Sequence, residues 1–104
     1  HSDGTAGKRE VYCNLPRSCP DGLAFDTDQN LYVGCYSPNY IYKISPNQEV
    51  HLLIDDWEAH GLCNPTNLAF GGKDFNELYT ANLGAWHISK IKLNAIGQKL
   101  ACHL

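Results

Sequence analysis

The sequence predicts an all-β fold: two consecutive four-stranded antiparallel blades of a β-propeller. The first observation behind this prediction is an internal repeat. Residues 20–26, Pro-Asp-Gly-Leu-Ala-Phe-Asp, return 45 residues later as residues 65–71, Pro-Thr-Asn-Leu-Ala-Phe-Gly. The second observation is that each copy holds several short apolar runs and no long helical pattern. A period of about 40–50 residues built from such runs is typical of propeller blades.

The first blade is predicted over residues 20–56. Its runs are rich in aromatic, aliphatic and β-branched residues, and turns rich in Asp, Asn, Ser and Pro separate them. The predicted strands, from the innermost to the outermost, are residues 22–25, 31–35, 40–45 and 49–54. The innermost run is short and apolar, as a strand buried between neighbouring blades should be, whereas the outer runs alternate with polar residues.

The second blade is predicted over residues 57–104 and repeats this plan. Its predicted strands are residues 67–70, 77–81, 87–92 and 98–103. Leu31 and Tyr32 fall on Leu78 and Tyr79, so the offset grows from 45 to 47 residues between the first and second strands. We therefore place a two-residue insertion in the first turn of the second copy.

Residues 1–19 are predicted to be a loop and the end of a preceding blade, with an extra outer strand at residues 8–15 that resembles residues 49–54. The sequence starts without methionine, and a blade buries its faces only against neighbours. We expect either one partial propeller domain whose remaining blades belong to a longer chain, or a chain that self-associates to close the propeller.

Composition narrows the possible partners. The chain is 43% hydrophobic and 18% charged with a net charge of −3, and its basic residues are scattered, which argues against a nucleic-acid surface. No apolar run approaches the ~18 residues of a membrane span. The five cysteines show no C-x-x-C spacing and are interpreted as small buried residues, which leaves the compartment open and slightly favours the cytoplasm.

Two stretches carry a family resemblance. Residues 20–26 with residues 30–33, and residues 64–72 with residues 78–83, resemble successive blade signatures of the senescence marker protein/gluconolactonase family, also called the regucalcin family. The resemblance covers about residues 9–93. It implies a six-bladed propeller with a divalent cation at the top of its central channel, which opens lactones or other cyclic and phosphorus esters by hydrolysis. More distant relatives, similar to strictosidine synthase, keep the fold without that chemistry.

Asp21 is the candidate catalytic and metal-binding residue. The resemblance implies that it binds the cation and acts as general acid and base. Its position at the start of an innermost strand faces the channel, and a carboxylate suits calcium, magnesium or zinc. The alternative is that Asp21 and Gly22 simply form a turn. The family's other ligands, a glutamate from an early blade and an asparagine from a middle blade, have no counterpart in this chain, so the chain alone is expected to be inactive.

Three further residues are candidates for substrate binding: His60, Thr66 and Asn67. Thr66 holds the place of Asp21 in the second copy and either lines the channel or begins a strand. Asn67 holds the place of Gly22. His60 lies in the loop before an innermost strand, on the same predicted face as Asp21, where an imidazole binds substrate or acts as a base, or else packs the loop.

The leading hypothesis is a segment of a metal-dependent lactonase-type hydrolase that acts on a small lactone or ester. In it the cation would polarise the ester carbonyl and activate water while Asp21 moves the proton. The alternatives are a non-catalytic propeller binding module and an inactive structural remnant. If the chain acts alone, three copies of two blades would make a ring of six.

Overall fold

The computed structural model describes residues 1–103, which form two antiparallel β-sheets and one short 3-10 helix. The first sheet has the order β1-β2-β3-β4 and the second the order β5-β6-β7. In chain order, the elements of the structure are β1 Cys19–Phe25, β2 Leu31–Ser37, β3 Asn39–Ile44, β4 Val50–Asp55, β5 Pro65–Gly71, β6 Glu77–Asn82, β7 Ile88–Lys92 and the 3-10 helix Ala101–His103. The predicted all-β class with two consecutive antiparallel sheets is confirmed.

The two sheets are copies of one plan, as the sequence repeat predicts. In the first sheet Phe25 pairs with Leu31 at the first hairpin, and in the second sheet Phe70 pairs with Leu78. The next hairpins pair Leu31 with Ile44 and Leu78 with Ile91. The equivalent strands therefore keep the same register, and equivalent residues lie on equivalent faces.

The predicted fourth strand of the second sheet, residues 98–103, is wrong. After β7 the chain turns inward, and Leu93 and Ala95 pack on the core between the sheets. Residues 96–98 then join the free edge of β1: the Thr27 N–H donates to the Ile96 carbonyl (2.8 Å) and the Gln98 N–H to the Phe25 carbonyl (2.9 Å). The backbone N–H and C=O groups along the edge of a sheet are unpaired and can bond another segment. Residues 96–98 form such bonds with the edge of β1.

The predicted extra strand at residues 8–15 is also wrong: these residues pair with no strand, and the first strand is β1. Residues 12–15, the N-terminal strap, instead lie across one face of the first sheet. Cys13 and Leu15 pack against that face, and the Tyr12 hydroxyl lies 3.3 Å from the Ser45 carbonyl.

Two faces of each sheet can be distinguished, because side chains alternate along a strand. The leading face of the first sheet, which carries Leu31, Val33, Cys35 and Ile44, packs under the strap. Its trailing face, which carries Tyr32 and Ile41, packs on the leading face of the second sheet, which carries Leu68, Leu78 and Ile91. The trailing face of the second sheet carries Ala69, Tyr79, Ala81 and Ile88. The core between the sheets fixes how β1 and β5 lie beside each other.

Among residues 1–103 no helix is long and apolar enough to cross a membrane. All five cysteines are free: Cys35 is buried, Cys13 and Cys63 are half-buried, and Cys19 and Cys102 are exposed. Burial, followed by the nearby Cys19, raises the pKa of Cys35 to about 11. The interpretation of the cysteines as small buried residues therefore holds for Cys35 and not for the two exposed thiols.

Candidate functional site

The first strand of each sheet, β1 or β5, begins with an irregularity in the ladder. Pro20 pairs with Cys35 and Leu23 with Val33, so β1 has one more residue than β2 across the segment that contains Asp21. Pro65 pairs with Asn82 and Asn67 with Ala81, so β5 has one extra residue at Thr66. Such bulges redirect a side chain and occur often beside active sites. Asp21 is exposed at its bulge and Thr66 is half-buried at the equivalent one.

The two bulges lie next to each other because β1 and β5 approach closely. A Cβ atom on Gly22 would lie 2.8 Å from both the Asn67 carbonyl carbon and the Leu68 nitrogen. Only glycine fits at this contact between backbones. The structure thus brings the segment of Asp21 beside the segment of Thr66 and Asn67. The Asn67 side chain is exposed, and its Oδ1 accepts a hydrogen bond from the N–H of Leu68 (2.9 Å).

Tyr36 and Cys19 lie at the same end of the first sheet as Asp21. Tyr36 is 40% exposed near the end of β2. Its pKa is raised, first by a hydrogen bond with the Cys19 thiol, then by the charge of Cys19, by burial and by the charge of Asp21. The start of β1 and the end of β2 thus bring Cys19, Asp21 and Tyr36 to the same end of the first sheet.

Side-chain amides fix the loops on this side of the sheets. Asn39 Nδ2 donates to the Asp56 carbonyl (3.0 Å), and Asn39 Oδ1 accepts from the N–H of Asn64 (2.8 Å). Asn64 Nδ2 in turn donates to the Tyr36 carbonyl (2.7 Å). These bonds join the β2–β3 connection to the β4–β5 loop, so Tyr36 is held on a rigid support.

A second amide joins the β4–β5 loop to the β6–β7 connection. Buried Asn82 accepts the N–H of Cys63 (3.0 Å) and donates to the Ser89 hydroxyl (2.8 Å). Ser89 and the His87 ring both contact the Gly61 carbonyl. His87 thus belongs to this network.

His60 lies in the same loop, with its side chain in solvent. Its Nδ1 is 3.4 Å from a Glu58 carboxylate oxygen, and the His60 side chain is 79% exposed. The loop is shaped by Asp56, whose carboxylate accepts the backbone N–H groups of His60, Gly61 and Leu62 at 3.1, 2.6 and 2.7 Å. The bond from Leu62 and then that from Gly61 contribute most to lowering the pKa of Asp56. The polar contacts of the His60 side chain are thus with Glu58 rather than with Asp21.

Asp26, the other carboxylate of the repeated motif, is structural. It is 1% exposed and accepts the N–H of Asp28 and of Asn30, the Asn30 amide and the Tyr32 hydroxyl. Burial, followed by the Asp26 charge, raises the pKa of Tyr32 well above its usual range. This network stabilises the β1–β2 turn, and the buried Asp26 carboxylate is not accessible to a substrate in solvent.

The described residues do not complete a metal site. Within residues 1–103, no three His, Cys, Asp or Glu side chains come together to hold a metal ion. Asp21 offers one carboxylate, whereas calcium takes six or more oxygen ligands and zinc takes four ligands. A cation at Asp21 would need ligands from outside this part of the protein.

Sequence reasoning missed Cys19 and the amide network of Asn39, Asn64 and Asn82. The bulge that brings Cys19 near Tyr36 depends on cross-strand register, which the repeat does not reveal. The asparagines stand at strand ends and in a loop, where amides commonly bond backbone groups. That position is the signal that would have found them.

The fold is a repeated all-β domain with an exposed carboxylate, that of Asp21, near the start of β1. Comparison with known families is specific: the family described as SMP-30/Gluconolactonase/LRE-like region matches residues 1–83. The chain belongs to this family.

Its curated relatives are regucalcins. The chain is 31% identical to regucalcin from Gallus gallus over 86 residues, which cover 76% of this chain and 26% of that protein. It is 34% identical to regucalcin from Sus scrofa over 80 residues (71% and 24%) and 31% identical to that from Danio rerio over 77 residues (73% and 25%). The chain thus spans about a quarter of the length of these relatives.

Proposed function

We propose that this chain supplies two adjoining blades of a lactonase-like hydrolase and that Asp21 is its catalytic carboxylate. The observation that carries the proposal is the exposed carboxylate at a ladder bulge, on the innermost strand of a chain that belongs to the SMP-30/gluconolactonase family. The substrate class is a small lactone or ester, in keeping with the family description.

Asp21 is suited to proton transfer for two reasons. It is exposed, so water and substrate reach it, and it lies at a ladder bulge, a feature that redirects side chains and occurs often beside active sites. In lactone hydrolysis a water oxygen bonds to the carbonyl carbon, the ring C–O bond breaks, and the product is a hydroxy acid. Asp21 accepts the proton of the attacking water and returns it to the leaving alkoxide.

The proposal includes a divalent cation, calcium, zinc or magnesium, which would supply Lewis acidity at the carbonyl. Asp21 is the one ligand proposed from this chain, because no further His, Cys, Asp or Glu joins it among residues 1–103. The other ligands come from blades outside the two described here. Thr66 and Asn67, whose segment approaches Gly22, would contact the substrate, and His60 would do so from the loop.

The test is hydrolysis of glucono-δ-lactone by the longest natural protein that contains these residues, measured by proton release. Activity should disappear with a chelator and return with one of the three metals. Asp21→Asn should lower kcat by about 10²–10⁴-fold, the usual contribution of a general acid–base group. Asp28→Asn, an exposed carboxylate beyond the other end of β1, is the matched control and should act as wild type.

Two results would contradict the proposal. Full activity in Asp21→Asn would remove Asp21 from the chemistry. Absence of lactone hydrolysis from the wild type with every metal tested would favour a binding function for this domain.

A further inference from the structure

The ladder between β1 and β2 contains two bulges, and they lie side by side. The first is in β1, in the segment of Asp21. The second is in β2: the successive β1 residues Cys19 and Pro20 pair with residues 37 and 35, so Tyr36 is the extra residue. The one pair that Pro20 makes separates the two bulges. Bulges redirect side chains and occur often beside active sites, and here they place Asp21 and Tyr36 at neighbouring irregular positions.

The two sheets differ in chemistry at these two positions. Residues 45 and 47 positions later along the repeat, Thr66 stands in the place of Asp21 and Leu83 in the place of Tyr36. The register supports the second match, because the β2–β3 and β6–β7 ladders align at an offset of 47 residues. The carboxylate and the phenol therefore occur together in the first sheet, and the second sheet has neither at the equivalent positions. This joint change favours a shared role for Asp21 and Tyr36.

The backbone of Tyr36 is held by neighbouring elements. Tyr36 pairs with Asn39 of β3, and its carbonyl accepts a hydrogen bond from Asn64 Nδ2 (2.7 Å). Asn39 Oδ1 in turn accepts the N–H of Asn64 (2.8 Å), so the three residues form a closed set of contacts. A side chain on a fixed backbone loses less conformational freedom when it binds a ligand.

The Tyr36 hydroxyl can serve as a hydrogen-bond donor to a ligand. Tyr36 is 40% exposed. Its pKa is raised, first by the hydrogen bond with the Cys19 thiol and least by the charge of Asp21. A phenol with a pKa above its usual value of about 10 stays protonated and neutral at pH 7. Because a thiol is a weak hydrogen-bonding partner, the hydroxyl can exchange Cys19 for a substrate oxygen.

We propose that Tyr36 is a second catalytic residue of the site at Asp21 and that its hydroxyl donates a hydrogen bond to the carbonyl oxygen of the lactone. This role rests on the hydrolase function proposed for Asp21. Negative charge develops on the carbonyl oxygen as the water oxygen bonds to the carbonyl carbon. A donor fixed beside that oxygen stabilises the transition state more than the bound substrate.

The test is steady-state hydrolysis of glucono-δ-lactone by the longest natural protein that contains these residues, with the metal that supports activity. Tyr36→Phe removes one oxygen atom and keeps the ring. It should lower kcat by about 10²-fold, as loss of one such donor does. KM should stay nearly unchanged, because the lost bond acts in the transition state.

Tyr12→Phe is the matched control for Tyr36→Phe. It removes the hydroxyl of a tyrosine of almost the same exposure, 42%, in the N-terminal strap. Its kcat and KM should equal those of wild type. Both variants should unfold at the wild-type temperature, which shows that a loss of activity in Tyr36→Phe does not come from the fold.

The outcomes separate this proposal from the hydrolase function. If Asp21→Asn is inactive and Tyr36→Phe keeps the wild-type kcat, the role of Tyr36 is overturned and the hydrolase function stands. A raised KM with unchanged kcat in Tyr36→Phe also overturns it, because Tyr36 would then bind substrate without assisting the reaction. Equal losses in Tyr36→Phe and Tyr12→Phe overturn it as well. A wild type that hydrolyses no lactone overturns the hydrolase function and the role of Tyr36 with it.

Discussion

At the scale of single residues, Gly22 lets β1 and β5 approach closely because glycine has no side chain. Gly22→Ala would place a Cβ 2.8 Å from the Asn67 and Leu68 backbone, and neither strand can yield without disturbing its ladder. We expect the free energy of unfolding to fall by about 1–3 kcal/mol, as for overpacked cores. The measurement is urea unfolding followed by far-UV circular dichroism.

Gly61→Ala is the control for Gly22→Ala. A Cβ on Gly61 would meet its nearest atom, Asp56 Oδ2, at an ordinary 3.5 Å, and alanine keeps the N–H that Asp56 accepts. Its stability should stay within about 0.5 kcal/mol of wild type. Equal losses in both variants would show that the close approach of β1 and β5 does not constrain position 22.

Asp56 makes the β4–β5 loop sensitive to acid. Three backbone N–H groups favour its charged form and lower its pKa in the folded state. A carboxyl group with a lowered folded pKa stabilises the fold above its ordinary pKa of about 4, and this contribution is lost as the pH falls through the folded value. Asp56→Asn should therefore have a lower unfolding temperature than wild type at pH 7.

The quantity to measure as a function of pH is the difference in unfolding temperature between wild type and Asp56→Asn. It should shrink as the pH falls below about 4, because wild-type Asp56 then becomes neutral like the amide. Comparing the two proteins removes the contributions of Asp3 and Glu77, whose pKa values are also lowered. A difference that stays constant from pH 7 to pH 3 would contradict the assigned role of the carboxylate.

At the scale of elements, the sequence repeat was enough to predict seven strands and their order. The inner three strands of each copy form because apolar alternation and hairpin turns are local signals. Residues 98–103 were predicted as a strand from their place in the repeat, but their position depends on the pairing of residues 96–98 with the free edge of β1, which is a tertiary contact. The same limit applies to the candidate site: Asp21 was predicted from its motif, whereas the position of Cys19 opposite the end of β2 depends on a shift in the register.

Gly97 anchors the C-terminal segment at β1. A Cβ at this position would lie 2.8 Å from the Cδ1 atom of Phe70, and the Gly97 N–H donates to the Phe75 carbonyl (2.7 Å). Gly97→Ala should release the segment, so the amides of Thr27 and Gln98 should lose protection in hydrogen exchange. Lys99→Ala, at an exposed neighbour, should leave both amides unchanged. Undiminished protection in Gly97→Ala would show that the segment is held without this contact.

At the scale of the whole molecule, the two sheets pack on each other through a shared core. The first sheet has the strap on one side and the second sheet on the other, whereas the packed core of the second sheet within residues 1–103 lies against the first sheet. Stability should therefore be cooperative across the sheets rather than a sum over two independent units.

Leu78 tests this cooperativity, because it is 0% exposed at the centre of the contact between the sheets. Leu78→Ala removes buried methyl groups and leaves a cavity, so the free energy of unfolding should fall by about 2–5 kcal/mol. Leu83→Ala makes the same chemical change at a residue that is 77% exposed, and it should cost less than about 0.5 kcal/mol.

Hydrogen exchange of the β3 and β6 amides reports the two sheets separately. In Leu78→Ala both sets should exchange faster by the same factor, since global unfolding governs both. Faster exchange in β6 with unchanged exchange in β3 would show that the first sheet, with its strap, is stable without the second.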